Sequence, residues 1–341
     1  MKSLLTAILV FVLIISRAQP LSDAKQQYAS IGNFILENGQ VIYDCTIGYR
    51  TYGILNAGRS NAIVCPTWFT GTAKDEEGLM AGNLIDTTKY YAILVDALGD
   101  GYSSSPGNST RQPRLQFPVF SIRDMVESQY KMLTEKLNIH HLAAVMGLSM
   151  GGMQSFQWAV SHPGFMDKVI PIVGSPQLTS NDLLLWNGEL EAMERDTAYH
   201  NGNYTGHPAI TPVTIIHRLA ISSPTYMAEN IKRDSFTVWF DAVKTSGGFD
   251  WNNWHRQLEA MIKDDVTQPA GGPLEDAAKK VTAKMLIITS KQDHMVNPIP
   301  ATKFAAMVHA QMLELDNNCG HLAPGCEMDK VLGAVKAFLA E

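Results

Sequence analysis

The feature that most constrains the fold is a seven-residue run, Met146-Gly147-Leu148-Ser149-Met150-Gly151-Gly152, which closes a short apolar stretch and opens a helical one. Glycine at 147 and 151 removes side chains where the backbone must pass close to itself. The serine is thereby thrust out at a strand end, and the following helix N-terminus presents free N–H groups beside it. G-x-S-x-G on its own is a weak signal, but between a strand and a helix it specifies a tight, strained turn around a reactive serine. The competing reading is a glycine-rich turn with a bystander serine.

The rest of the chain suits such a turn. Ile31 to Leu36 and Val41 to Tyr52 read as paired strands around an Asn38-Gly39 turn. Short apolar runs follow at Ala62 to Cys65, Tyr91 to Val95, Leu142 to Met146, Val169 to Val173 and Met285 to Thr289. Runs without polar alternation fit strands buried on both faces of a parallel sheet. Helical stretches such as Ile122 to Leu137 and Gly151 to Ser161 lie between several of them, so an α/β layer architecture is expected. The rhythm breaks from residue 175 to 272, where helix-like segments carry Trp186, Trp239, Trp251 and Trp254 with Met193, Met227 and Met261. This reads as a helical cap inserted in a core made of residues 19–174 and 273–341. Its tryptophans and methionines are either plain cap core or the wall of an apolar pocket.

The N-terminus reads as a processing signal. Lys2 precedes an apolar run from Leu4 to Ile15, and Ser16-Arg17-Ala18 sets small residues two apart, so residues 1–18 are expected to be a signal peptide cleaved after Ala18. The run is short for an uncleaved anchor, which is the other reading. A secreted or periplasmic protein follows, without stable membrane insertion. An oxidising compartment lets cysteines pair. Cys319 and Cys326 are candidates for a bond bracing the loop between them; Cys65, at a strand end, reads as buried, and spacing does not settle the connectivity. The sequons at Asn108 and Asn203 matter only in a eukaryotic host. A net charge of -6 gives no reason to expect nucleic acid as a partner. No metal-ligand spacing or phosphate-binding glycine motif is present, so neither a metal nor a cofactor is expected.

A serine hydroxyl is a poor nucleophile and needs a base held by a third group. Asp293 follows the strand at Met285 to Thr289, and His321 follows the strand at Met312 to Leu315, in the chain order serine, acid, histidine. Asp316 is the rival acid and reads as a loop residue. Of the other histidines, His294 adjoins the acid, His140 and His141 precede the strand that leads to the serine, and His200, His207, His217 and His255 lie in the cap. An oxyanion hole is expected from the Met150 N–H and from the loop Pro66-Thr67-Trp68-Phe69-Thr70-Gly71, with Phe69 as the second donor and Trp68 as its competitor. The alternative is that this loop only lines the core.

The sequence resembles the homoserine O-acetyltransferase-like branch of the α/β-hydrolase superfamily. The likeness rests on G-Y-R-T-Y-G-I-L-N at 48–56, R-S-N-A-I-V at 59–64, T-G at 70–71, F-P-V-F-S-I-R-D-M-V at 117–126 and S-M-G-G-M-Q at 149–154. It implies an α/β-hydrolase fold with a mostly parallel sheet, flanking helices and a helical cap. It also implies acyl transfer through an acyl-serine, with Ser149, Asp293 and His321 in the family's catalytic positions and Met150 and Phe69 as oxyanion donors. A homodimer is expected by analogy with the transferases.

Two departures favour water as the acyl acceptor. Leu148 stands where the transferases carry glycine, and Leu322 stands where they carry an aspartate that binds the substrate's amino group. The segment D-W-N-N-W-H-R-Q-L-E-A at 250–260 is more like the plain hydrolases of the branch. The expectation is therefore a secreted serine hydrolase acting on a small carboxylic ester, most active where the histidine is neutral. The alternatives are an O-acyltransferase using an acyl-CoA donor and a non-catalytic ligand-binding homologue.

Overall fold

The structure is a computed structural model and describes residues 24–245 and 248–341. The expected signal peptide and its cleavage point lie outside the described residues. Eight strands form one sheet in the order β1-β2-β4-β3-β5-β6-β7-β8. They are β1 Gln27–Ile35, β2 Val41–Tyr52, β3 Ala62–Pro66, β4 Tyr91–Val95, β5 Leu142–Leu148, β6 Met166–Ile172, β7 Lys284–Ser290 and β8 Gln311–Leu315. β1 pairs antiparallel with β2, and β2 with β4; the remaining pairs are parallel. This is an α/β-hydrolase fold. β3 and β4 are buried on both faces apart from Tyr91, as their unalternated apolar runs require.

Helices α1 (Ile122–Lys131) and α2 (Met150–Ser161) pack on one face within the larger apolar core, around Trp158, Phe156 and Met153. The stretch expected as one helix from Ile122 to Leu137 is α-helical only to Lys131 and continues as a π-turn over Met132–Lys136. Ser121 starts α1 with a capping box: its Oγ accepts from the Asp124 N–H, and the Asp124 carboxylate accepts from the Ser121 N–H. The opposite face is covered by the C-terminal helix Met328–Ala340, through Val331, Val335 and Phe338, and by Met80 and Leu84.

Between β6 and β7 lie the helices α3 (Ser180–Arg195), α4 (Thr211–Ile221), α5 (Pro224–Asn230), α6 (Phe236–Thr245) and α7 (Trp251–Ile262). Trp186, Trp251, Trp254, Met193 and Met261 are buried here, whereas Trp239 and Met227 are half-buried. Two contacts join this layer to the carboxyl edge of the sheet. The Asp182 carboxylate caps α3 and, with its other oxygen, accepts from the Asn297 N–H at 2.9 Å. The Ser223 hydroxyl donates to the Asn318 carbonyl. Among the described residues, no helix is long and apolar enough to cross a membrane.

Candidate active site

Ser149 sits between β5 and α2 with φ 56° and ψ −119°, a left-handed backbone that costs a non-glycine residue about 1–3 kcal/mol. Its N–H donates to the Ile172 carbonyl at the end of β6, which ties the turn to the sheet. The glycines around it are steric requirements. A Cβ on Gly147 would stand 2.3 Å from the Gly151 carbonyl oxygen, and one on Gly151 would stand 2.2 Å from the Pro66 carbonyl oxygen.

The structure brings the three residues chosen from the sequence into one hydrogen-bonded line. His321 Nε2 lies 2.8 Å from Ser149 Oγ, and His321 Nδ1 lies 2.7 Å from Asp293 Oδ2. Asp293 Oδ1 accepts from the N–H groups of Met295 and Val296, at 2.9 Å each, which holds the carboxylate plane. Asp182 in turn holds the Asn297 N–H, one residue further along the same loop. All three site residues are buried, with Ser149 9% exposed. Such a line lets the imidazole take the hydroxyl proton as the oxygen attacks, while the carboxylate steadies the ring.

Several of the other histidines face carboxylates elsewhere. His141 faces Asp167, His217 faces Glu189, and His255 faces Glu194 and Glu259. Asp316 pairs with Lys291 on the surface.

The loop carrying His321 is fastened on three sides. Cys319 and Cys326 form a disulfide across it, while Cys45 and Cys65 are free and buried. The Ser290 hydroxyl donates to the Gly320 carbonyl at 2.7 Å. Gly320 itself has φ +67° and packs so closely on the cap that a Cβ would meet Ser223 N at 2.8 Å.

The loop after β3 abuts the serine turn, and its N–H groups can be accounted for one by one. Thr67 donates to the Val95 carbonyl, Trp68 to Glu76 Oε1 at 2.9 Å, Thr70 to Gln257 Oε1 at 3.0 Å and Gly71 to the Trp68 carbonyl. Phe69 N–H has no acceptor among the described residues. Neither has Met150 N–H, which as the first helical residue has no intrahelical acceptor. Trp68 N–H is thus already engaged, whereas Phe69 N–H in the loop and Met150 N–H next to Ser149 carry no acceptor among the described residues.

Sequence reading missed the two side chains that arrange this. Glu76 is buried in the short helix Ala73–Glu76, and burial pushes its carboxyl well above the usual carboxylate range; the Trp68 N–H opposes that shift, and Asp96 and Asp75 add to it. Gln257, on α7, bridges the loop to the Leu98 carbonyl at 3.2 Å. A further link runs from Trp158 Nε1 to Gln129, from Gln129 to Gln154, and from Gln154 Nε2 to the Thr67 carbonyl at 3.1 Å. Only the capping box of Thr72 with Asp75 was a local signal of that helix, and nothing in the sequence marks the glutamate as buried. Among the described residues, no group of three or more His, Cys, Asp or Glu is placed to hold a metal ion.

Comparison with known proteins agrees with this architecture. A family profile described as alpha/beta hydrolase fold matches residues 63–211. The chain is similar to the ethyl acetate hydrolase of Pseudomonas veronii, at 29% identity over 328 residues, covering 92% of this chain and 93% of that one. It is similar to the homoserine O-acetyltransferase of Nautilia profundicola, at 34% identity over 312 residues, covering 77% of this chain and 82% of that one. Among solved structures, an acetylester hydrolase from Corynebacterium glutamicum superimposes with a TM-score of 0.86 at 25% identity, covering 93% of this chain and 96% of that one.

Proposed function

The chain belongs to the α/β-hydrolase family, in the branch that holds esterases and homoserine O-acetyltransferases, and from that premise we propose that it is a serine hydrolase of small carboxylic esters. The observation that carries the reading is the line from Ser149 Oγ through His321 to Asp293, at 2.8 and 2.7 Å. Ser149 Oγ attacks the ester carbonyl carbon while His321 Nε2 takes its proton, and Asp293 steadies the imidazolium. The N–H groups of Met150 and Phe69 bind the resulting oxyanion. The intermediate then collapses: the carbon–oxygen bond to the alcohol breaks, His321 returns its proton to the departing alkoxide, and an acyl-serine remains. Water attacks that ester with His321 again as base, and the carboxylic acid leaves as Ser149 recovers its proton.

The ethyl acetate hydrolase and acetylester hydrolase relatives favour a short acyl group. Export is part of the proposal, and the Cys319–Cys326 disulfide beside the site supports it, since such bonds persist in oxidising compartments.

A second reading, transfer of the acyl group from a thioester to an alcohol, is favoured by the homoserine O-acetyltransferase relative. Leu322, next to His321 and 41% exposed, offers no charge to an amino group and weighs against it.

The test is turnover of p-nitrophenyl acetate by residues 19–341 beside Ser149→Ala. Loss of about a thousandfold or more in the variant supports the reading. Equal inertness of both proteins toward esters, with turnover only when acetyl-CoA and a hydroxyl acceptor are supplied, would replace hydrolysis by transfer.

A further inference from the structure

Beside the oxyanion loop lies a box of four rings. The Phe69 ring centroid is 4.8 Å from that of Trp254, 5.9 Å from His217 and 6.2 Å from Trp186, and His217 and Trp254 are themselves 5.1 Å apart. One turn along α3 from Trp186 is Glu189, which is 0% exposed and faces His217 Nδ1 through Oε1 at 3.2 Å. Three polar atoms of this box are buried without a partner among the described residues: Glu189 Oε2, Trp186 Nε1 and Trp254 Nε1. Buried polar groups in folded proteins are nearly always paired, and a cluster of orphans calls for an occupant. An apolar box that served only as cap core would place its indole N–H groups against carbonyls, as Trp251 does with Pro208 and Trp158 does with Gln129.

The chemistry of the orphans selects the occupant. Two are donors and one is an acceptor. A hydrocarbon satisfies none of them. A carboxylate would meet the Glu189 carboxyl, and an ammonium has no lone pair to offer the indoles. An uncharged hydroxyl accepts from an indole N–H and donates to Glu189 Oε2. We propose that Glu189, Trp186 and Trp254 form a hydrogen-bonding subsite beside the scissile carbonyl that reads a hydroxyl group on the substrate. This rests on the ester-hydrolase reading and adds a substrate class to it: small esters that carry a free hydroxyl on the acyl or the alcohol side.

The experiment compares kcat/KM within matched pairs. Ethyl 3-hydroxybutyrate against ethyl butyrate places the hydroxyl on the acyl side; 2-hydroxyethyl acetate against propyl acetate places it on the alcohol side. Each value is divided by the ester's rate of hydrolysis in dilute hydroxide, which removes its intrinsic reactivity. The wild type is expected to favour the hydroxylated member of one pair by about tenfold or more, and that pair names the side the box serves. Trp186→Phe and Trp254→Phe keep a ring and delete the N–H, and Glu189→Met deletes the acceptor; the preference is expected to shrink to within about twofold in the variant that loses the partner atom. The ratio is taken within each protein, so a general loss of activity cancels, and the two Phe variants stand if Glu189→Met fails to fold. A wild type that hydrolyses all four esters with no preference overturns the subsite and leaves the hydrolase reading intact, as does a preference that survives all three substitutions. A wild type inert toward all four but active on p-nitrophenyl acetate overturns the subsite alone, whereas one inert toward p-nitrophenyl acetate as well overturns the hydrolase reading itself.

Discussion

Gly320→Ala tests whether the cap and the histidine loop are one machine. Gly320 holds φ +67°, and an alanine there meets both a backbone penalty and a collision. The left-handed conformation costs an L-residue about 1–2 kcal/mol relative to glycine. The new Cβ would lie 2.8 Å from Ser223 N and 3.0 Å from Ser222 C and Cα, all backbone atoms that cannot rotate away. Overpacking of that kind costs about 1–3 kcal/mol. The total is about 2–5 kcal/mol, and at about 2 cal/mol/K per residue of unfolding entropy this corresponds to roughly 3–8 °C in Tm. The Ser223 hydroxyl donates to the Asn318 carbonyl of the same loop, so the collision is shared between the Ser222–Ser223 segment and the loop, and the loop shifts. His321 is the next residue and moves with it, so the 2.8 Å contact to Ser149 opens. A displacement of about 1 Å at a reacting group can cost about a hundredfold, so kcat/KM on p-nitrophenyl acetate should fall by roughly that factor. Gly325→Ala is the control, because a Cβ there meets nothing within 4 Å. A Gly320→Ala protein within about threefold of wild-type activity and about 1 °C of its Tm would refute the coupling.

The remaining expectations follow from neighbouring features. Replacing both Cys319 and Cys326 by serine opens a loop closed over a sequence separation of 7. Loop-closure entropy for so short a ring gives a loss of about 2.5 kcal/mol, and because the ring encloses His321 the same variant should lose roughly tenfold in kcat; thermal melting and turnover check both, and unchanged kcat would show that the brace serves stability alone. Asp264 is buried with neither carboxyl oxygen partnered, and burial, with Asp265 and Asp182 adding, pushes its carboxyl well above the usual range. The fold therefore keeps a proton that the unfolded chain releases above about pH 4, so the ionisation of Asp264 adds no stability cost below that pH and a progressively larger one as pH rises toward its folded-state value. Asp264→Asn should raise Tm at pH 8 and change it little near pH 4, whereas an equal Tm difference at both pH values would show that the residue stays charged in the fold.

The sequence by itself determined the parts that depend on short-range geometry. Gly147, Ser149 and Gly151 are a local steric solution to one tight turn, and the short apolar runs fit strands buried on both faces of a parallel sheet. Asp293 and His321 could be chosen because each follows a strand whose carboxyl end reaches the edge where β5 ends, a consequence of parallel order. The helical stretch from Ile122 continues through Met132 and Leu133 as its apolar periodicity implies, but the sequence does not mark the change from α to π hydrogen bonding at Met132. The tertiary structure alone decided the rest. The Trp68 N–H is taken up by Glu76, and that of Thr70 by Gln257, 187 residues away. Asp182 reaches the acid loop across 115 residues, and Gly320 is a glycine because Ser222 and Ser223 lie against it. Glu189 faces His217 only because α3 and α4 pack side by side. A sequence pattern encodes conformations that repeat every two to four residues; which side chain from a distant element fills a given hydrogen bond is settled by topology and close packing, and neither leaves a periodic mark on the chain.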